Sequence, residues 1–194
     1  MRKIGVTGGI GSGKSLVCKV FSSLGIPVYY ADDEAKTISD SHPEIRTTLI
    51  SWFGNDIYAD DVLNRHMLAD IIFKDREWLS RVNNLIHPRV AEHFKLWCLK
   101  FSPSPYIIHE SAILFESGAW QNFDTIIGVI ANDEIRLNRV MNRPQMTPEK
   151  FRMIIQNQLP DKEMVERCDH VIVNDDRTLV IPQVMKLHRT FISN

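Results

Sequence analysis

The chain has 194 residues, 44% of them hydrophobic and 24% charged, with a formal net charge of −1. That composition suits one compact unit, with room for a sizeable core and a subdomain. Near-neutrality excludes a global field that would draw the chain to nucleic acid or a membrane surface, so an anionic ligand must be held by a local site. The three cysteines, Cys18, Cys98 and Cys168, are odd in number and widely spaced. They exclude a disulfide framework or zinc site and fit a reducing compartment. Met1-Arg2-Lys3 runs straight into a short apolar strand, and no stretch is long enough to span a bilayer. The expectation is a cytoplasmic protein.

In chain order, 2–7 reads as a buried strand and 8–15 as a glycine-rich turn. Leu16, Val17, Val20, Phe21 and Leu24 then recur at helical spacing, ended by Gly25 and Pro27. Residues 26–30 form a second strand. This is a βαβ unit, which demands parallel strands and a right-handed crossover. Residues 32–101 carry almost no strand signal; helical periodicity runs through 45–53, 62–73, 78–86 and 90–99, with His87-Pro88 readable as a helix break. After Pro103 and Pro105 come strands at 106–109 and 125–131, the latter apolar enough to be covered on both faces. A helix at 132–141 leads into a loop from Arg143 to Pro148, in which Thr147 is an N-cap and Pro148 the first helical residue. Helix resumes to about Gln158, a short strand lies at 171–173, and the tail from Arg177 is helical. Strands alternating with helices predict an α/β, doubly wound parallel sheet.

Gly8-Gly9-Ile10-Gly11-Ser12-Gly13-Lys14-Ser15 matches G-x-x-x-x-G-K-[ST] between a strand and a helix. Glycines let the backbone curl so that successive N–H groups face phosphate oxygens. The helix that follows aims its positive end at the same anion. Lys14 reaches the β and γ phosphates of ATP, and Ser15 offers a hydroxyl to Mg²⁺. The loop fixes a nucleotide and not a reaction. The guanine motif and switch of a GTPase are missing, and Ile107-Ile108-His109-Glu110 is a weak candidate for a water-activating strand of a mechanical ATPase. An acidic residue after the second strand and late arginines point to a small-molecule kinase.

The chain resembles dephospho-CoA kinases. The resemblance is carried by Thr7-Gly8-Gly9-Ile10-Gly11, Leu24-Gly25-Ile26-Pro27-Val28, Ala31-Asp32, Phe53-Gly54, Leu63-Asn64-Arg65, Ile72-Phe73, Ile86-His87-Pro88, Leu114-Phe115-Glu116 and Asp169-His170-Val171-Ile172-Val173-Asn174. It extends in order to about Asn174. It implies a five-stranded P-loop kinase fold and transfer of the ATP γ-phosphate to the ribose 3′-hydroxyl of dephospho-coenzyme A, the last step of coenzyme A biosynthesis. It further implies a core of 1–31 and 102–194, a helical acceptor-binding insertion of 32–101 and a lid of 136–150. Gly9 to Leu16 would hold ATP together with Arg143 and Asn174. The chain departs from the family pattern at Tyr30-Ala31-Asp32, where Asp-Ala-Asp is usual, and at Glu110, Pro144 and Leu16.

Asp32 follows the second strand, on the edge where α/β sheets bind ligands. A carboxylate there orients a sugar hydroxyl and accepts its proton; a helix cap is the plain alternative. The resemblance makes Asp32 the base and His87 a substrate-pocket residue. Arg136, Arg139 and Arg143 repeat at helical intervals, either as a solvated basic face or as lid charges on the transferring phosphoryl group. Arg139 matches the family's lid arginine, and Arg136 reads as surface. Glu110 either holds a magnesium-bound water or caps the segment after it. Leu114 is core or apolar wall of the substrate pocket, and Asn174 is a turn residue or borders the adenine. Another small P-loop kinase, acting on a nucleoside or sugar, and a non-catalytic ATP-sensing module are the competing readings.

Overall fold

The computed structural model describes residues 1–72, 75–144 and 146–193. In chain order its elements are β1 (Arg2–Thr7), α1 (Lys14–Ser23), β2 (Val28–Tyr30), α2 (Ala31–Ser41), α3 (Pro43–Phe53), β3 (Tyr58–Ala59), β4 (Val62–Leu63), α4 (Arg65–Ile72), α5 (Arg76–Lys100), β5 (Tyr106–Glu110), β6 (Thr125–Ile130), α6 (Asp133–Met141), α7 (Pro148–Gln156), α8 (Asp161–Arg167), β7 (His170–Val173) and α9 (Val180–Ser193). The chain divides into two compact units, 1–30 with 101–194, and 31–100.

The first unit is built on a five-stranded sheet in the order β2-β5-β1-β6-β7, with every neighbouring pair parallel. Strand alternation sorts its side chains onto two faces. Ile4 and Val6 of β1 join Ile108, Ile127 and Val129 beneath α1 and α9, where Val17, Phe21, Val184 and Phe191 close the layer. Gly5, between them, faces the other way, and a Cβ there would lie 2.6 Å from Leu114. On that side Leu114, Phe115 and Ile126 pack with Met164 of α8. The parallel register ends the strands on a common edge, with Val6 and Tyr30 both opposite Glu110. That edge carries the glycine-rich loop.

His109 shows what full burial of β5 does to a titratable group. Its ring stacks on Tyr29, its register partner, at 5.2 Å, and leans on Phe123 at 4.9 Å. Burial pushes its imidazole down to about 4. The unfolded chain therefore binds a proton near pH 6.5 that the folded chain refuses. The stability this contributes is whole above pH 6.5 and is lost as pH falls to about 4, on the order of 3 kcal/mol in all. His109→Phe should flatten the melting temperature against pH over that window, measured by thermal denaturation.

The second unit buries Ile38, Ile45, Leu49, Ile57, Leu63, Leu68 and Val82 in one cluster. Three features differ from the sequence expectation. The break expected at His87-Pro88 is absent: α5 runs unbroken from Arg76 to Lys100 with Pro88 inside it. Proline costs one backbone bond and a ring clash there, offset by a face on which Val82 and Phe94 are buried and Leu85, Ile86 and Val90 pack on the cluster. A short hairpin, β3–β4, stands where only helix was expected. Its turn residues Asp60 and Asp61 both take positive φ, 49° and 65°, a type I′ geometry that aspartate tolerates. Arg46 pins it by bonding the Asp61 carboxylate at 2.9 Å and covering the Tyr58 ring. The helical reading of 62–73 shortens to α4, and Phe73 lies outside the described residues, as does Gln145 of the loop before α7. In the first unit, α8 occupies the stretch between Gln158 and the last strand, where the sequence carries no assigned element.

Candidate active site

β1 ends at Thr7, and the chain turns through Gly8–Gly13 into α1. Ser12 N–H donates to the Gly9 carbonyl at 3.1 Å, closing the turn. Gly13 is the residue before the helix, in the left-handed region with φ 92°, and its carbonyl accepts from Leu16 and Val17. Gly13, having no side chain, makes no cap hydrogen bond at this helix start. Its first N–H groups are the ones a helix leaves for an anion. Glycine is required twice over by close approach. A Cβ on Gly13 would sit 2.0 Å from Asn174 Nδ2, and one on Gly9 would sit 2.0 Å from an Arg136 nitrogen.

Lys14 is 8% exposed. Its Nζ donates to the Gly8 carbonyl at 2.8 Å and lies 3.8 Å from a Glu110 carboxylate oxygen, itself almost buried. The ammonium is thus folded into the loop's concavity, with Glu110 at the end of β5 as its counter-charge. Ser12 Oγ is buried with no hydrogen-bond partner among the described residues. A buried hydroxyl in that state inside a glycine cradle fits an absent oxyanion. Ser15 and Leu16 are exposed at the start of α1.

The basic run divides by burial. Arg136, expected at the surface and inside a lid, is 3% exposed. Its Nε donates to the Ile10 carbonyl at 2.9 Å, and one terminal nitrogen reaches Asp133 and Asp161, both at 3.1 Å. The reading of Arg136 as surface is therefore corrected: Gly9, lacking a side chain, lets the guanidinium slide against the loop. Burial holds the Asp161 carboxyl above its ordinary value, while Arg136 pulls the other way. Arg136→Ala should cost about 2–4 kcal/mol, because it strands a half-buried carboxylate and the Ile10 carbonyl. Thermal denaturation should read this as a melting temperature lower by roughly 5–10 °C.

Arg139, expected in a closing lid, is also tied down. It donates to the carbonyls of Gly11 at 3.3 Å, Ser12 at 3.4 Å and Asn174 at 3.0 Å, and it pairs with Asp176. Asn174 is buried, and its Nδ2 donates to the Ser12 carbonyl at 2.8 Å. Arg143, past the end of α6, is exposed. Leu114 is completely buried in the sheet's second layer. It has no surface to offer a substrate, which corrects its place among the expected substrate contacts.

Asp32 and His87 belong to the second unit. Asp32 is exposed in the first turn of α2, two residues past the end of β2, and is inside the helix rather than before it. Its neighbour Asp33 pairs with Lys36 at 2.7 Å. His87 is half-buried within α5, and burial lowers its imidazole below the ordinary value.

One participant was missed. Gln158 accepts from the Ile10 N–H at 2.9 Å and donates to the Ala112 carbonyl at 3.3 Å. It lies 148 positions from Ile10 in sequence, so no local pattern could have exposed it.

A strand–loop–helix whose glycine turn encloses a buried lysine, on the C-terminal edge of an all-parallel sheet, is a P-loop nucleotide-binding site, and the family match makes it that of a P-loop kinase. The dephospho-CoA kinase family profile matches residues 2–179. The chain belongs to the dephospho-CoA kinase family. It is 40% identical to a dephospho-CoA kinase of Bacteroides fragilis, covering 95% of this chain and 90% of that one. It is 39% identical to the Porphyromonas gingivalis dephospho-CoA kinase, covering 98% and 94%. A crystal structure of a Thermus thermophilus protein superposes with a TM-score of 0.81 at 28% identity, covering 99% of this chain and 96% of that one. The Campylobacter jejuni dephospho-CoA kinase shares the fold, with a TM-score of 0.73 at 22% identity and coverage of 98% and 97%.

Proposed function

We infer that this protein is an ATP-dependent kinase that phosphorylates the ribose 3′-hydroxyl of dephospho-coenzyme A, completing coenzyme A. The observation that carries this reading is the buried Lys14 inside the glycine cradle, in a chain of this family. The β- and γ-phosphates would lie along Gly9–Ser15, with the N-terminus of α1 aimed at them. Lys14 would exchange the Gly8 carbonyl and Glu110 for phosphate oxygens. Arg139 and Asn174 keep the Gly11 and Ser12 carbonyls engaged, so that the loop holds its shape. The exposed Arg143 belongs to a lid segment running toward α7, and Leu16 borders the nucleotide.

Magnesium fits the donor set. Ser15 offers a hydroxyl and Glu110 a carboxylate, both hard oxygen donors. Among the described residues no group of three or more His, Cys, Asp or Glu could hold a metal by themselves. That suits an ion bound largely through phosphates and water. When bound, the ion neutralises charge on the β and γ oxygens.

The second unit, 31–100, would bind the acceptor, with His87 in its pocket. Asp32 would orient the 3′-hydroxyl and accept its proton as the new O–P bond forms and the bond to the β-phosphate oxygen breaks, releasing ADP. The reaction needs small molecules only. No helix among the described residues is long and apolar enough to cross a membrane, and a cytoplasmic enzyme is the reading that fits the cysteine usage. A coupled ADP-release assay tests the proposal with dephospho-coenzyme A against nucleosides, sugars and shikimate. Turnover should require dephospho-coenzyme A. ATP binding without acceptor-dependent turnover would mark a sensor, and turnover with another acceptor alone would overturn the substrate assignment.

A further inference from the structure

The apex of the phosphate loop is held from outside by two side chains. Both backbone polar groups of Ile10 are spoken for: its N–H by Gln158 and its carbonyl by Arg136. Neither bond comes from the loop itself. Arg136 is anchored by two carboxylates, and the loss of its contacts is expected to act on stability. Gln158 is a different kind of contact. Its carboxamide is neutral and half-buried, and it bridges two segments that border the nucleotide site. One is the loop apex; the other is Ala112, two residues past Glu110.

The carboxamide's orientation follows from its partners. The Ile10 N–H can only donate and the Ala112 carbonyl can only accept, so Oε1 faces the loop and Nε2 faces Ala112. The backbone bearing Gln158 is itself fastened: Leu159 N–H donates to the Glu116 carboxylate at 2.7 Å. Glu116 closes the Leu114-Phe115-Glu116 segment, whose first two residues are packed in the core. The chain from β5 through Glu116 to Gln158 and back to Ile10 is therefore a closed circuit of two side-chain hydrogen-bonding links around the edge where Glu110 meets Lys14.

We propose that Gln158 is a positioning residue for phosphoryl transfer. Through its two hydrogen bonds it sets the Ile10 apex at a fixed separation from the strand end that carries Glu110, and so fixes where the γ-phosphate sits relative to its neutralising groups. If Gln158 is such a brace, the Ile10 N–H stays on Gln158 when nucleotide binds, and the other loop N–H groups hold the phosphates. Nucleotide affinity comes mainly from the helix start and Lys14, which Gln158 does not touch. Its loss falls on the rate of the chemical step, where a displacement of about 1 Å costs on the order of 10²-fold.

This proposal rests on the kinase reading above. The test compares wild type, Gln158→Met and Gln158→Glu in the full-length protein. Methionine keeps the length of the side chain and removes both bonds. Glutamate keeps an acceptor for the Ile10 N–H. Expected is a fall in kcat of roughly 10- to 100-fold in Gln158→Met, with the KM for ATP within about 3-fold of wild type. Gln158→Glu keeps the acceptor for Ile10 but sets a carboxylate oxygen against the Ala112 carbonyl, so its kcat should lie below wild type. A purely structural role would instead lower the melting temperature and leave kcat per folded enzyme unchanged, which would overturn the proposal. So would a loss confined to the KM for ATP. A wild type inactive on dephospho-coenzyme A would sink the kinase reading instead. Amide hydrogen exchange at Ile10, followed by NMR, needs no acceptor and decides the brace by itself. The Ile10 amide should be protected both free and with a non-hydrolysable ATP analogue, and should exchange at least about 10-fold faster in Gln158→Met. Equal exchange in the two proteins, or loss of protection when the analogue binds, would overturn it.

Discussion

Lys14→Ala should lower kcat by at least about 10²-fold, the usual scale for losing a charge partner of the transition state. The nucleotide should still bind, because the backbone cradle and the start of α1 remain. The structure adds a second consequence. Lys14 is the counter-charge of Glu110, and both are almost buried. The single variant therefore strands a carboxylate and should also melt earlier. The double variant Lys14→Ala with Glu110→Gln separates the two effects. It should regain most of the melting temperature and none of the rate. A folded Lys14→Ala enzyme with near-normal kinetics would refute the loop assignment outright.

Asp32→Asn should lower kcat for acceptor phosphorylation by roughly 10²–10⁴, with ATP affinity almost unchanged. Asparagine keeps the size of the side chain but cannot take the hydroxyl's proton. If Asp32 served only the first turn of α2, asparagine would cost a few tenths of a kcal/mol and leave turnover intact. Asp33→Asn is the internal control. Asp33 lies next in the same turn and makes an exposed pair with Lys36, a contact of small value. Steady-state kinetics and ATP titration of both variants decide between the readings. A normal kcat in Asp32→Asn, or a larger loss in Asp33→Asn, removes Asp32 as the base. A shared fall in ATP binding would point to a carboxylate acting on the metal.

The departures from the family pattern have physical readings at two positions. Glu110, where a shorter acid is usual, reaches Lys14 from the end of β5. Tyr30 stands where the family has a second carboxylate, and is partly buried against the apolar layer of α1 and α9. Of the Asp-Ala-Asp pattern only the second acid, Asp32, remains, followed in the first turn of α2 by Asp33 and Glu34.

Much of the first unit was legible because its signals are local. The strand at 2–7, the glycine turn, the helix after it and the Thr147-Pro148 helix start each depend on neighbours within a few positions. The same holds for the chemistry of Lys14 and Ser15, since the loop's spacing is itself the binding geometry. Pro88 misled for the same reason. Its local cost is real, but a helix of 25 residues packed along one face overrides it. The hairpin at Tyr58–Leu63 was hidden by its length, since two residues per strand leave no alternation to read.

By itself the sequence determined the nucleotide loop, the parallel α/β sheet and the family, because these rest on contiguous patterns of glycine, lysine and alternating apolar runs. Only the tertiary structure decided what surrounds the loop. Arg136 and Arg139 stood at helical spacing as a basic face or lid charges, Asn174 as a turn residue or an adenine neighbour, and folding turned all three onto loop carbonyls. Leu114 was open between core and pocket wall, and its complete burial makes it core. Gln158 carried no signal at all until the fold brought it to Ile10. Periodicity reports which residues share a face. It cannot report which distant backbone groups, left without partners by a tight glycine turn, those side chains will be recruited to satisfy.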